Sequence, residues 1–260
     1  MLKGLYTAYT GMVNEQHRMD TLTNNLANSA TVGYKKEGAT SQSFHDVLAY
    51  KIKDTSETPN LARRIGAMSM GVKIGENYTD YSEGPLKETE NTFDLAIAGS
   101  GFFAIEFTNK AGVTSTKYTR DGNFTLTEEG YLVTKDGDFV LSDRGEQIEL
   151  DPLLPAEITE DGTIWQDGSS VATIGITDFE DYNYLEHYGE NLFQTVEGAT
   201  ETDSDARVIS GYLEHSNVQV VKEMVDMINV SRAYETNQKV VQTYDSSLDI
   251  AVNQLGRLNG

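Results

Sequence analysis

Near the start of the chain, apolar residues fall at Leu5, Met12, Met19 and Leu26, seven apart, and Ala8 and Leu22 follow members of that row by three. Residues seven apart stand two turns apart on one helix face, so this is one thin stripe of an α-helix. The helix is expected to stop near Asn28, because Thr31, Val32 and Gly33 bring β-branched side chains and a flexible turn ahead of Tyr34-Lys35-Lys36.

At the other end, Val220, Met227, Tyr234, Val241, Leu248 and Leu255 repeat every seven residues without a break. A companion row at Val230, Tyr244, Ala251 and Leu258 is interrupted by Glu223 and Asn237, giving a two-row seam of the coiled-coil kind. The pattern predicts a helix from about Asn217 to Leu255, about 58 Å long at about 1.5 Å per residue. A helix of that length, apolar along one seam, needs a partner to cover it.

Between the ends the pattern changes to short runs punctuated by glycine: Asp94–Ile97, Gly101–Phe107, Tyr118–Thr119, Asn123–Thr127, Tyr131–Thr134 and Phe139–Leu141. These read as strands, and the Asp-Gly pairs at 121–122, 136–137, 161–162 and 167–168 suit hairpin turns that require positive φ. Asp54–Asn60 and Glu197–Arg207 are polar and rich in turn formers, and read as surface loops. The expected fold is α+β. An N-terminal helix (1–33) and a C-terminal long helix (211–260) pair as a coiled-coil-like helical domain, joined through an extended connector (34–75) to a mostly antiparallel β domain (76–210).

Charge sharpens this division. The formal net charge is −21, yet residues 1–35 hold three basic and two acidic side chains, and 216–260 hold four and five. Residues 36–215, with 13 basic and 34 acidic groups, therefore carry the whole imbalance. No basic cluster exists of the kind that releases counterions from a phosphate backbone, so nucleic acid is not an expected partner. With hydrophobic residues at 38%, a chain of 260 residues has material for real cores. It has no cysteine, which removes disulfides, thiolate metal sites and cysteine nucleophiles. The first twelve residues lack the apolar run of a secretory signal, and no stretch is long and apolar enough for membrane insertion by a helix.

Candidate chemistry is sparse. Gly99-Ser100-Gly101-Phe102-Phe103-Ala104 fits a dinucleotide-binding pattern, but that motif must open a helix, and here strand formers follow. His17, His45, His187 and His215 are dispersed, without a spacing that sets two ligands on one face. Asp178, Glu180 and Asp181 lack the order of a calcium loop and read as solvated surface. Trp165 reads as core or hairpin packing. No catalytic residue, metal ligand or cofactor is expected, and no carboxylate pair stands out among 41 acidic groups.

Three separated sets of residues carry a family resemblance. Leu5-Tyr6-Thr7-Ala8-Tyr9-Thr10-Gly11-Met12, then Met19-Asp20, and Asn24-Asn25-Leu26-Ala27-Asn28-Ser29-Ala30-Thr31-Val32-Gly33-Tyr34-Lys35 form the first. Asp94-Leu95-Ala96-Ile97, Gly101-Phe102-Phe103 and Tyr118-Thr119-Arg120-Asp121-Gly122-Asn123-Phe124 form the second. Gly211-Tyr212-Leu213-Glu214, Ser216-Asn217-Val218, Glu223-Met224-Val225, Met227-Ile228 and Arg232-Ala233-Tyr234-Glu235 form the third. Together they resemble the axial proteins of the bacterial flagellar rod and hook over nearly the whole chain. The resemblance is nearest to distal rod members, in length and in the segment Thr40–Gly71, and the distal rod is the expected place; Asp249–Leu258 leans toward proximal rod members, which are the alternative.

The resemblance implies a subunit exported unfolded by the flagellar type III export apparatus without a cleaved signal. It would be added to a hollow helical shaft of the basal body, outside the cytoplasmic membrane. The terminal helices would line the channel and the β domain would lie outside. The shaft would carry torque to the hook, and the partners would be copies of the chain itself, neighbouring rod subunits and the hook protein.

Thin apolar stripes cannot bury themselves on lone helices, so residues 1–30 and 217–260 are expected to gain order on assembly. The expected assembly interface comprises Leu5, Met12, Met19, Leu22, Asn24, Asn25, Leu26, Asn28, Val220, Met227, Tyr234, Val241, Leu248 and Leu255. Asn24, Asn25 and Asn28 are poor helix formers and are expected to bond neighbouring subunits and set register. The acidic body is expected to face outward. A contrasting expectation is a binding module, dimerised by a coiled coil, that stops at a fixed mass instead of growing. An enzyme would instead show an organised pocket with perturbed carboxylates.

Overall fold

The computed structural model describes residues 2–44, 47–51, 63–68, 71–110, 112–189 and 191–255. His45, the Asp54–Asn60 stretch and Leu258 lie outside the described residues, as does part of Thr40–Gly71. The chain forms two compact units, one of residues 1–26, 37–80 and 219–260, the other of residues 27–36 and 81–218. By contact, the greater part of residues 34–75 groups with the helices, and the motif segment after the first helix groups with the strands.

In the helical unit, α1 spans Leu2–Ala27 and α2 spans Val220–Ile250, followed by a π-helical turn at Ala251–Leu255. The helices run antiparallel. Tyr244 of α2 lies over Gly4, and Asn237 lies over Gly11, where an added Cβ would stand 2.9 Å from Nδ2. Farther along, Asn25 of α1 meets Glu223. The contacting row is therefore Glu223, Val230, Asn237 and Tyr244, which includes both residues that interrupt the weaker row in sequence. Among the described residues only Glu223 and Val230 of α2 are buried.

The connector is not a bare extended strand. Glu37–Ser43 pairs antiparallel with Val72–Thr79, and Val47–Lys51 pairs with Arg63–Met68. Extended backbone leaves N–H and C=O groups that need partners, and a hairpin supplies them.

The β unit is antiparallel throughout its paired strands. Its largest sheet runs Leu185–Tyr188, Leu192–Thr195, Thr114–Thr119, Phe102–Thr108, Phe139–Val140, Leu132–Thr134, Phe124–Leu126. Ile176–Phe179 joins this sheet on Phe102–Thr108 and also pairs with Glu201–Asp203, so the polar stretch Glu197–Arg207 contains a strand. Successive side chains of Phe102–Thr108 point to opposite faces, and both faces are covered. Phe103 enters a core with Leu95, Ile97, Phe124, Leu132, Val140, Ile164 and Val208, while Phe102 enters a second with Tyr118, Phe179, Leu185 and Phe193.

The strand that follows Gly99-Ser100-Gly101 leaves no helix N-terminus for a dinucleotide. Trp165 lies in a three-stranded sheet of Ala156–Ile158, Thr163–Gln166 and Ser169–Thr173, half-exposed between buried Ile164 and Gln166. Asp167-Gly168 makes the tight turn there, both at positive φ. Gly122 does not share that reason: a Cβ on it would collide with the Leu95 carbonyl, so close backbone approach requires glycine.

Candidate functional site: helix surfaces and a buried ion cluster

The expected interface residues divide sharply on α1 and α2. Leu5, Met12, Met19, Leu22 and Leu26 are half-buried, as are Met227, Tyr234 and Val241. Val220 and Leu248 are exposed. Leu255 closes the π-helical turn, and its side chain lies outside the described residues.

The asparagines do not share one role. Asn25 is fully buried: its Nδ2 donates to the Glu37 carbonyl at 2.8 Å and its Oδ1 accepts from the Glu37 N–H at 3.0 Å. That pair copies what a neighbouring strand would offer and fixes the first residue of Glu37–Ser43. Asn25 thus makes both of these bonds inside its own chain. Asn24 is exposed, and Asn28 accepts from the Thr31 hydroxyl through Oδ1 at 3.3 Å in the turn after the helix.

The outward surface has its own pattern. Val221, Met224, Val225 and Ile228 follow one another at i, i+3, i+4 and i+7 and are all exposed, Val221 at 77%. On α1, Tyr6, Tyr9 and Val13 are exposed likewise. The spacing of the α2 stripe is visible in sequence, but the unbroken seven-residue row beside it is the stronger periodic signal.

The charges follow the units. The helical unit contains 11 basic and 13 acidic residues, net −2, whereas the β unit contains nine and 28, net −19.

Within the β unit the three sequence motifs converge. Lys35 of the first, Arg120 of the second and Glu214 of the third form a buried ion cluster. Lys35 Nζ lies 2.6 Å from Glu214 Oε1, and Arg120 Nη1 lies 3.3 Å from Oε2, with all three side chains at most 3% exposed. Lys35 also donates to the Ser82 carbonyl, Gly84 N–H donates to Glu214 Oε1, and Arg120 Nη2 donates to the Gly99 carbonyl. Burial lowers the Lys35 pKa despite the opposing pull of Glu214. Sequence reading missed this cluster because charged residues ordinarily indicate surface; their position inside motifs otherwise made of Tyr34, Tyr118 and Leu213 was the available signal.

Other polar groups serve turns. Asp121 lies in a cleft of about 400 Å³ with Phe107, Asp136, Asp138 and Tyr188. Its carboxyl pKa is raised by burial, but both oxygens are engaged, Oδ1 by the Asn123 N–H and Oδ2 by Asn191 Nδ2. Asp178 accepts from the Phe179 N–H and the Tyr182 hydroxyl, and Asp181 caps the turn at Tyr182–Tyr184. Among the described residues no group of three or more His, Asp or Glu is placed to hold a metal ion, and no helix is long and apolar enough to cross a membrane.

Both terminal helices carry exposed apolar rows, and a buried ion cluster joins three distant motifs. Comparison with known proteins gives the class. Residues 5–35 match the family of flagella basal body rod proteins, residues 96–169 match the D1 domain of flagellar hook protein FlgE/F/G, and residues 209–255 match the C-terminal region of flagellar basal body rod FlgEFG proteins. The chain is 33% identical over 261 residues to the flagellar basal-body rod protein FlgF of Caulobacter vibrioides, covering 100% of each chain. It is 33% identical over 277 residues to FlgG of Borreliella burgdorferi, covering 97% of this chain and 98% of the relative. It is 30% identical over 272 residues to the flagellar hook-basal body complex protein FlhO of Bacillus subtilis, covering 99% and 100%. The chain belongs to the flagellar basal-body rod protein family, whose place is the flagellar basal body.

Proposed function

We propose that this protein polymerises through α1 and α2 into the hollow helical shaft of the rod, with its acidic β unit outward, and that the shaft transmits torque to the hook. The observation that carries this reading is the exposed stripe Val221, Met224, Val225 and Ile228 on a nearly neutral helical unit, beside a β unit of net −19. Burying such a stripe against a copy contributes about 25 cal/mol per Å² of apolar area, and a contact between different faces of successive copies propagates instead of closing. Neighbouring rod subunits and the hook protein would meet the ends of the shaft. Export through the flagellar type III apparatus belongs to the same reading.

Within the rod, two sections compete. The distal section is suggested by Thr40–Gly71. Against that expectation, a FlgF-like, proximal place is favoured by how closely the alignments keep to this chain's 260 residues. Relatives named FlgF align over 260 or 261 residues, whereas those named FlgG align over 265 to 278.

Electron microscopy of the purified protein at rising concentration tests polymerisation. Straight tubes of uniform width are expected; particles that stop at a dimer at every concentration would favour a closed coiled-coil module instead.

A further inference from the structure

The strands of the β unit fall into two groups by the distance they reach along the chain. Every strand of the largest sheet lies between residues 102 and 203, and the three-stranded sheet lies between 156 and 173. The last two strands instead return to the beginning: Arg207–Ser210 pairs with Leu95–Ala98, and Tyr212–Glu214 pairs with Leu86–Glu88. Glu214 reaches farther still. Its carboxylate meets Lys35, 179 residues away, and Gly84, 130 residues away, while its backbone carbonyl accepts from the Gly33 N–H at 2.8 Å.

Loop-closure entropy makes such pairings the slow ones, because distant segments must be brought together before any bond rewards them. The charges add a stricter condition. Lys35 and Arg120 are both buried, and Glu214 is the side-chain anion that bonds to both. Removing two cations from water without that carboxylate is strongly unfavourable, so their segments remain hydrated until it arrives.

The exits of the chain are tied at the same place. Lys36 N–H donates to Asn217 Oδ1 at 2.8 Å, and Asn217 Nδ2 donates to the Ser82 carbonyl at 3.2 Å. Residues 36, 82 and 217 stand beside three of the points where the chain passes between units.

We propose that Glu214 is the closing latch of the β unit: the sheets within residues 102–203 form first, and the unit closes only when the strand bearing Glu214 docks between Lys35 and Arg120. That last step delivers the segments leading to both terminal helices to one point. A chain that emerges N-terminus first therefore keeps this unit open until residue 214 is free to fold back, which delays presentation of the helices in their paired arrangement.

Pulse-labelling hydrogen exchange during refolding of the full chain tests this. The amides of Gly33, Gly84 and His215, which are bonded to Glu214 or its strand neighbours, are expected to gain protection at least about tenfold more slowly than those of Ala104, Leu141 and Ile174. Simultaneous or earlier protection would overturn the proposal. Glu214→Gln is expected to raise the unfolding rate on the order of a hundredfold, while leaving the refolding rate reported by Trp165 fluorescence within about twofold. An unchanged unfolding rate, or a Trp165 phase slowed about tenfold, would also overturn it. Should the variant not fold, the order of protection in the unaltered chain decides.

Discussion

Gly11 of α1 lies beneath Asn237 of α2, so close that a Cβ at Gly11 would stand 2.9 Å from the amide nitrogen. The helices can lie side by side there only because one of them has no side chain. Gly11→Leu is expected to force the pair apart and destabilise the helical unit by about 1–3 kcal/mol. Circular dichroism melting of assembled protein should show the helical transition lowered while the β-unit transition, followed by Trp165 fluorescence, stays in place.

Val225 and Ile228 are exposed neighbours on the outward stripe of α2. Replacing both with Asp leaves the monomer's contacts intact but places charges where a copy would have to bury them. The concentration needed for assembly, measured by sedimentation, is expected to rise by at least about tenfold, because burial of even one unpaired charge costs several kcal/mol. An unchanged threshold would remove this stripe from the interface.

Asn25 offers a sharper distinction between internal and intersubunit roles. Asn25→Ala leaves the Glu37 N–H and carbonyl without their side-chain partner, at an expected cost of about 1–3 kcal/mol. Gln16→Ala, at an exposed position of α1, is expected to shift stability by less than about 0.5 kcal/mol. Denaturant unfolding of the two variants checks the contrast; equal effects would contradict the internal role assigned to Asn25.

Two carboxyls in the β unit set a pH dependence. Burial raises the pKa of Asp121 and Asp138 above the usual 3.8. The folded state therefore binds their protons more tightly than the unfolded chain does. Their stabilising contribution is present below 3.8 and is lost as pH rises through the raised folded values. As pH falls from neutral toward 4, the β unit is expected to become more stable, helped by relief of its net negative charge. Differential scanning calorimetry should find a higher midpoint at pH 5 than at pH 7.5, with Asp121→Asn narrowing the difference; a lower midpoint at pH 5 would contradict the assignment.

Much of the fold was legible because periodicity reports burial directly. Leu5, Met12, Met19 and Leu26 located α1, and six glycine-bounded runs located the strands from Leu95 to Val140. Heptad spacing located α2 but not the side it turns to α1, since glycines at positions 4 and 11 accept Tyr244 and Asn237 in a row that looks broken by polarity. The later strands, from Ala156 onward, are short and partly polar, and their pairing depends on long returns such as Arg207–Ser210 to Leu95–Ala98. The Lys35–Arg120–Glu214 cluster was hidden for the same reason: spacing along a chain does not reveal which distant charges will meet. The bonds of Asn25 to Glu37 were hidden because a backbone partner presents no side-chain signature.

The central claim is that α1 and α2 owe most of their stability to copies packed beside them. Amide hydrogen exchange on dilute protein and on protein assembled at high concentration tests it most directly. Assembly is expected to slow exchange in residues 2–27 and 220–250 by at least about a hundredfold, while protection in the β unit stays unchanged. Strong protection of both helices already present in the dilute protein, and unaltered by concentration, would contradict the account.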